Sequence, residues 1–140
     1  METTGPVVNI WAVLVAGALN LVIGFLWYGP LFGKAWAKML GDVGEVTKNV
    51  MIRAFVIQFI GSILFAFVLA NNLIAWRDAY NVTGAWAGAM GSFWQWLGLI
   101  ATYGVISVIY ERRPWKFYFI NVGFYLVWMI VAGVLIEVWI

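Results

Sequence analysis

The chain has 140 residues, of which 65% are hydrophobic and only 10% are charged. A soluble domain carries about a quarter charged residues, so this composition excludes a soluble globular protein. Cys and His are absent, which excludes thiolate chemistry, disulfides, imidazole metal sites and the Ser-His-Asp triad. The 8 Lys and Arg residues behind the net charge of +2 are scattered and too few for a nucleic-acid-binding face. We therefore expect a membrane protein with no cofactor and no nucleic-acid partner.

Four apolar segments long enough to cross a bilayer follow one another along the chain. A spanning helix needs about 20 apolar residues, and the segments cover residues 7–28, 52–75, 85–110 and 117–140. Their hydrophobicity is uniform and lacks the alternation of the shorter strands in a membrane barrel. The sequence thus predicts an all-α integral membrane protein. It has one four-helix domain, because the connections are too short for a separate soluble domain.

Positive charge is distributed unevenly between the three connections. Seven of the eight basic residues lie in the first and third connections or, for Arg53, at the entry to the following span, whereas the second connection contains only Arg77. These seven residues are Lys34, Lys38, Lys48, Arg53, Arg112, Arg113 and Lys116. Because short loops rich in Lys and Arg are retained in the cytoplasm, we predict that the first and third connections are cytoplasmic. Both termini are then extracytoplasmic.

An amphipathic pattern follows the first segment. Gly29 and Pro30 are expected to interrupt the span, and from Leu31 to Leu40 the chain resumes a helical pattern. Its apolar residues, spaced by three, four or one positions, are Phe32, Trp36, Met39 and Leu40. Lys34 and Lys38 stand one turn apart on a different face. The pattern predicts a short helix that lies in the plane of the membrane at its inner surface.

Two interpretations of this short helix remain open. In the first, Lys34, Lys38 and Trp36 bind an anionic lipid or another ligand that carries a phosphate group. In the second, the helix is an ordinary surface anchor, since each basic residue near anionic lipid contributes about 1 kcal/mol to membrane attachment without a specific ligand.

Small and amide side chains repeat along one face of the third segment. A stripe of this kind allows the backbone of a neighbouring helix to approach closely, and an amide can form a hydrogen bond across the contact. The stripe consists of Gly84, Gly88, Gly91, Gln95, Gly98 and Thr102. Shorter versions occur in the first segment at Gly17, Asn20 and Gly24, and in the second at Gln58, Gly61, Ser62 and Ala66. We expect these faces to meet.

The amides of the spans allow a functional and a structural interpretation. Asn20, Gln58 and Gln95 either line a polar passage or pocket, or they join neighbouring helices by hydrogen bonds. Amides in hydrocarbon commonly have the second role, so the sequence alone does not assign a passage.

Glu137 is the one carboxylate within a span. Ionisable groups at membrane depth are candidates for function, including proton transfer. Glu137, however, lies three residues from the end of the sequence, a helix rise of about 4.5 Å. We expect it near the outer headgroups, with Arg77 as the one basic residue at a similar depth.

Three sequence motifs resemble those of a known family. They are the run Trp27-Tyr28-Gly29-Pro30-Leu31-Phe32-Gly33-Lys34-Ala35-Trp36, the run Tyr110-Glu111-Arg112-Arg113-Pro114, and the run Ile120-Asn121-Val122-Gly123-Phe124-Tyr125. They resemble the small bacterial membrane proteins catalogued as domain of unknown function seventeen sixty-one, and the resemblance covers nearly the whole chain. It implies a four-helix protein of the bacterial inner membrane. No established activity and no site residues come with it.

Three classes of function are compatible with these features. We favour a non-enzymatic interaction protein, which contacts lipids, forms a homo-oligomer or packs against a membrane-protein partner. The alternative is a channel or carrier for a small solute, with Asn20, Gln58 and Gln95 at the passage. An enzyme is the least expected class, because the chain lacks the acids, bases and metal ligands that such chemistry usually recruits.

Overall fold

The computed structural model describes residues 7–41 and 44–139, where the regular elements are helices and no strand occurs. The helices are α1 (Ile10–Leu26), α2 (Gly33–Leu40), α3 (Lys48–Tyr80), α4 (Gly84–Gln95), α5 (Thr102–Gly104), α6 (Ile106–Ile109) and α7 (Trp115–Val138). A π-helical turn follows α1 at Trp27–Leu31, and another follows α4 at Trp96–Ala101.

Four helical runs are long and apolar enough to cross a membrane. They are Ile10–Leu31, Lys48–Tyr80, Gly84–Ile109 and Trp115–Val138. The prediction of an all-α protein with four spanning helices is confirmed. The last residue of the fourth predicted segment, Ile140, lies outside the described residues, as do residues 1–6 and 42–43.

Polar residues set several helix boundaries. The Asn9 side chain accepts hydrogen bonds from the first backbone N–H groups of α1, and the Thr47 hydroxyl accepts one from the first turn of α3. Such caps satisfy donors that have no partner within the helix. At the other end of α3, Asn81 adopts a left-handed conformation with φ of 53°, and Gly84 opens α4 with φ of +83°. These two residues turn the chain sharply between the second and third runs.

The first span ends later than expected. Gly29 and Pro30 do not break the helix, which continues as a π turn to Leu31, and the break falls at Phe32 with φ of −121°. The Phe32 N–H donates to the carbonyl of Trp27 at 2.9 Å. The bond joins residues five apart, as in a π turn. Pro30 lies inside this turn and has no N–H to donate.

The four runs alternate in direction, and α7 is the most enclosed. α1 packs chiefly on α3 and α7, whereas α4 packs chiefly on α7. We call the end of the bundle where α1 begins and α7 finishes the terminal end, and the opposite end the α2 end. At the terminal end the Asn9 amide donates to the carbonyl of Trp139 at 2.8 Å, which joins the two outermost helix ends.

Seven of the ten tryptophans fall into two groups that composition alone does not separate. Within residues 7–41 and 44–139, four indole N–H groups donate to another element, and each of these bonds involves α7. They run from Trp27 to the carbonyl of Ile120, from Trp36 to the Asn121 side chain, from Trp96 to the carbonyl of Val122 and from Trp128 to the carbonyl of Ala16. By contrast, Trp11, Trp86 and Trp115 are strongly exposed near helix ends, a placement typical of residues at the headgroup level.

Two glycines form a close contact between α4 and α7. A Cβ atom added to Gly88 would overlap the backbone carbonyl of Gly133, and one added to Gly133 would overlap the Ser92 hydroxyl. The backbones of α4 and α7 therefore touch, as small residues at a helix crossing allow.

The remaining glycines of the stripe have different surroundings. A Cβ on Gly91 would lie 2.6 Å from the Leu73 side chain and 3.1 Å from the ring of Trp76, both on α3. No atom lies within 4 Å of the corresponding position at Gly84 or Gly98. Neither glycine makes a close helix contact within the chain, and the packing role of Gly84 and Gly98 stays a prediction. Gly84 provides the backbone conformation of a turn, and Gly98 lies on the exposed surface.

Candidate functional site

A long apolar groove, which we call the lateral furrow, lies between α3 and the third helical run. It forms because α3 packs on α4 but not appreciably on the following π turn, α5 or α6. α3 and the third helical run meet near the terminal end and separate towards the α2 end. The furrow has a volume of about 340 Å³ and is lined by Gly61, Leu64, Phe65, Val68, Leu69, Asn72, Gln95, Leu99, Ile100 and Met129. This volume is within the range of small-molecule sites.

The lateral furrow has a buried floor and an exposed rim. Leu69 and Met129 are each only 2% exposed, whereas Leu64 and Leu99 at the rim are each 63% exposed. No charged residue contributes to its lining. In a bilayer the rim would face hydrocarbon, so an apolar chain could enter from the side without crossing water.

An amide pair joins the two walls of the lateral furrow. The Asn72 side-chain nitrogen donates to the Gln95 side-chain oxygen at 2.9 Å, and the Gln95 nitrogen donates to the carbonyl of Gly91 at 3.3 Å. Gln95 was predicted from the sequence, but its partner Asn72 was not. An amide near the end of a neighbouring span was the available signal, since interhelical amides commonly pair.

A second cavity, which we call the aromatic–amide pocket, adjoins the furrow. Its volume is about 220 Å³, and its lining residues are Asn20, Gln58, Gly61, Ser62, Phe65, Tyr125 and Trp128. The Gln58 side-chain nitrogen donates to the Asn20 side-chain oxygen at 2.9 Å. Asn20 is only 3% exposed. Gly61 and Phe65 line both cavities, which places the pocket directly beside the furrow.

Three aromatic rings form one side of the aromatic–amide pocket. The ring centroids of Phe65 and Trp128 are 5.0 Å apart, and Tyr125 lies 6.0 Å from Phe65 and 6.1 Å from Trp128. The Trp128 indole N–H donates to the carbonyl of Ala16 at 2.8 Å. Trp128 thus contributes its ring rather than its N–H to the pocket.

The three amides selected from the sequence occupy two different places. Asn20 and Gln58 are hydrogen-bonded in the aromatic–amide pocket, whereas Gln95 bonds to Asn72. Gln58 and Asn72 are 14 residues apart on α3, which corresponds to about 21 Å along the helix axis. Asn20 and Gln58 therefore line one cavity and Gln95 lines the adjoining one. Both pairs link neighbouring helices.

The short helix α2 docks on the bundle through Trp36. The Trp36 indole N–H donates to the Asn121 side-chain oxygen at 3.1 Å, and its ring stacks on Phe117 with a centroid distance of 6.3 Å. The Tyr28 hydroxyl donates to the same Asn121 oxygen at 2.7 Å. Trp36 therefore contacts α7 through both its ring and its N–H, and its contact with lipid stays a prediction.

Lys34 and Lys38 are exposed on α2 and form no ion pair with any other described residue. Their binding to an anionic lipid stays a prediction, as does the orientation of α2 parallel to the membrane.

Glu137 is enclosed at the terminal end of the bundle. Its carboxylate lies 3.5 Å from the guanidinium of Arg77, and the two side chains are 1% and 14% exposed respectively. Within residues 7–41 and 44–139 this is the one salt bridge. The partner agrees with the sequence analysis, and the burial shows that Glu137 faces the protein. The pair connects α3 to α7.

The family relationship can be examined against this architecture. Comparison with curated proteins and with solved structures finds no match. A family model described as Protein of unknown function (DUF1761) matches residues 11–137. The match takes in the lateral furrow, the aromatic–amide pocket, α2 and all three motifs that suggested the resemblance. Because it covers nearly the whole sequence, the chain belongs to the family Protein of unknown function (DUF1761).

Proposed function

We propose that the protein is a non-enzymatic membrane protein that binds a lipid-like molecule in the lateral furrow. The observation behind this proposal is an apolar groove with a buried floor, open at the side between α3 and the π turn Trp96–Ala101. Membrane lipids are accordingly the partners we propose, in preference to a second copy of the chain or another membrane protein.

The dimensions and chemistry of the furrow favour a flexible chain as its occupant. A partner helix with its side chains has a diameter of about 10–12 Å. A groove with a volume of about 340 Å³ is small for an occupant of that diameter. A water-soluble solute would find few polar groups, because Asn72 and Gln95 bond to each other and the remaining lining is apolar. A lipid chain needs no polar partner along its length.

Leu99→Trp is expected to reduce lipid binding several-fold. The larger ring would occupy the furrow from its rim, and the fold should tolerate it because Leu99 is largely exposed. The measurement is the amount of lipid that co-purifies with the protein in mild detergent, determined by native mass spectrometry. Leu97→Trp is the matched control, since Leu97 is on the same π turn but does not line the furrow. Equal lipid content in both variants would contradict the proposal.

We further propose that the protein resides in a bacterial inner membrane with both termini extracytoplasmic. This proposal is supported by the concentration of basic residues in the first and third connections, because short loops rich in Lys and Arg are retained in the cytoplasm. A phosphatase that is active only in the periplasm, fused after residue 140, should be active. A fluorescent protein that folds only in the cytoplasm should be dark at the same position. An inactive phosphatase together with a bright fluorescent protein would show that the topology is inverted.

A second candidate function is the passage of a small solute. It is favoured by the Asn20–Gln58 pair in the aromatic–amide pocket. Solute flux through protein-containing liposomes, with loss of that flux in Gln58→Leu, would favour this function over lipid binding.

A further inference from the structure

We propose that the ligand is an amphiphile of the quinone or quinol class, with a neutral planar ring as headgroup and an apolar chain. The headgroup occupies the aromatic–amide pocket and the chain lies in the lateral furrow. This inference rests on the proposed function, namely lipid binding in the furrow, and it names the class of lipid and the place of its headgroup.

Polar groups without a protein partner line the aromatic–amide pocket. The bond from Gln58 to Asn20 uses the nitrogen of one amide and the oxygen of the other. Among the described residues, the Asn20 nitrogen, the Gln58 oxygen and the Tyr125 hydroxyl have no other partner. They offer N–H and O–H donors together with an acceptor. A ring that carries carbonyl or hydroxyl oxygens would complement them.

The Asn20 nitrogen is the strongest indication of a ligand. Asn20 is 97% buried, and an amide enclosed in apolar surroundings is costly unless its hydrogen-bonding groups have partners. Among the described residues, Ser92 Oγ is the one unpaired polar side-chain atom with no accessible surface, so the unpaired Asn20 nitrogen retains some accessible surface. Since Asn20 lines the aromatic–amide pocket, a carbonyl oxygen placed there would satisfy it.

The walls of the pocket favour a planar and uncharged headgroup. Phe65, Tyr125 and Trp128 present ring surfaces at mutual distances of 5.0–6.1 Å, an arrangement suited to offset or edge contacts with another ring. Neither the pocket nor the furrow is lined by an acidic or basic residue. A charged headgroup at this site would lose its hydration without gaining an opposite charge.

Gly61 lies at the junction of the two cavities. It lines both, and a Cβ atom added to it would have no other atom within 4 Å. Glycine within a helix is less favourable than alanine, and no close helix contact at this position requires it. An open junction explains its presence, because the ligand chain would cross α3 there on its way from the pocket to the furrow.

Binding of decylubiquinone, a benzoquinone with a ten-carbon chain, to the purified full-length protein tests this inference. We expect saturable binding by equilibrium dialysis in mild detergent, and binding about tenfold weaker in Gly61→Leu, a change of about 1.4 kcal/mol. Gly98→Leu is the matched control, because Gly98 is also an open glycine but lines neither cavity. Tyr125→Phe removes one hydroxyl and should weaken binding several-fold without affecting the fold.

Decanol, which has the chain but no ring, separates recognition of the headgroup from occupancy of the furrow. We expect it to bind about tenfold more weakly than decylubiquinone. Equal binding of both compounds, or unchanged quinone binding in both Gly61→Leu and Tyr125→Phe, would overturn the inference. If decylubiquinone does not bind but lipid still co-purifies and is lost in Leu99→Trp, the ligand class is wrong and the proposed function stands. If lipid binding is also insensitive to Leu99→Trp, both fail.

Discussion

Gly88→Ala is expected to destabilise the protein by about 3 kcal/mol, although it adds a single methyl group. The added Cβ would overlap the backbone carbonyl of Gly133, which cannot rotate away as the end of a side chain can. The neighbouring Ser92 is completely buried and leaves no space for α4 to shift sideways. α4 and α7 would have to move apart along their main contact.

Two other glycines of the same run provide graded controls. Gly91→Ala should cost less than Gly88→Ala, because the nearest obstacle is the flexible end of Leu73. Gly98→Ala should change the free energy of unfolding by no more than about 0.5 kcal/mol, since no neighbouring side chain or helix lies within 4 Å of the added methyl group. Unfolding by sodium dodecyl sulfate, followed by circular dichroism, measures all three. Similar stability of the Gly88→Ala and Gly98→Ala variants would show that the backbone contact does not hold the bundle together.

Glu137→Leu is expected to destabilise the protein by about 3 kcal/mol, the typical effect of removing one partner of a buried ion pair. The substitution leaves the guanidinium of Arg77 largely enclosed without its carboxylate, which lies at 3.5 Å in the native protein. The same detergent titration measures the effect.

The double variant Arg77→Met/Glu137→Leu should recover most of this stability. Replacing both charges with apolar groups leaves no unpaired ion, and such replacements are often neutral or stabilising. The comparison of the single and double variants gives the coupling energy of the pair. Additive losses would mean that Arg77 and Glu137 do not interact, and that Glu137 has another role at the terminal end.

The number and type of the helices were predictable because apolar runs of this length have few other solutions in a bilayer. The helix ends were less predictable. α3 extends from Lys48 to Tyr80, beyond the predicted 52–75, because its polar ends remain helical until Asn81 turns the chain. Hydrophobicity marks the part of a helix that fits the bilayer, whereas caps and turns determine where the helix stops.

The candidate site was only partly predictable. The pairing of Asn20 with Gln58 follows from two amides on neighbouring spans. The contact of Trp36 with α7 was not predictable, since lipid chains and helix interiors are similarly apolar and an amphipathic pattern does not tell which of them a ring contacts. The lateral furrow depends on how far two helices separate along their length, and no local pattern in the sequence encodes that separation.

The length of α3 has a consequence for the setting in which the protein works. Its 33 residues extend about 50 Å, against a hydrocarbon thickness of about 30 Å. A helix of this length tilts or projects from the bilayer, and membranes of different thickness favour different tilts. α3 provides one wall of the lateral furrow and is attached mainly to α1. We therefore expect the width of the furrow to vary with the thickness of the surrounding membrane, so that its opening differs in shape between thin and thick bilayers.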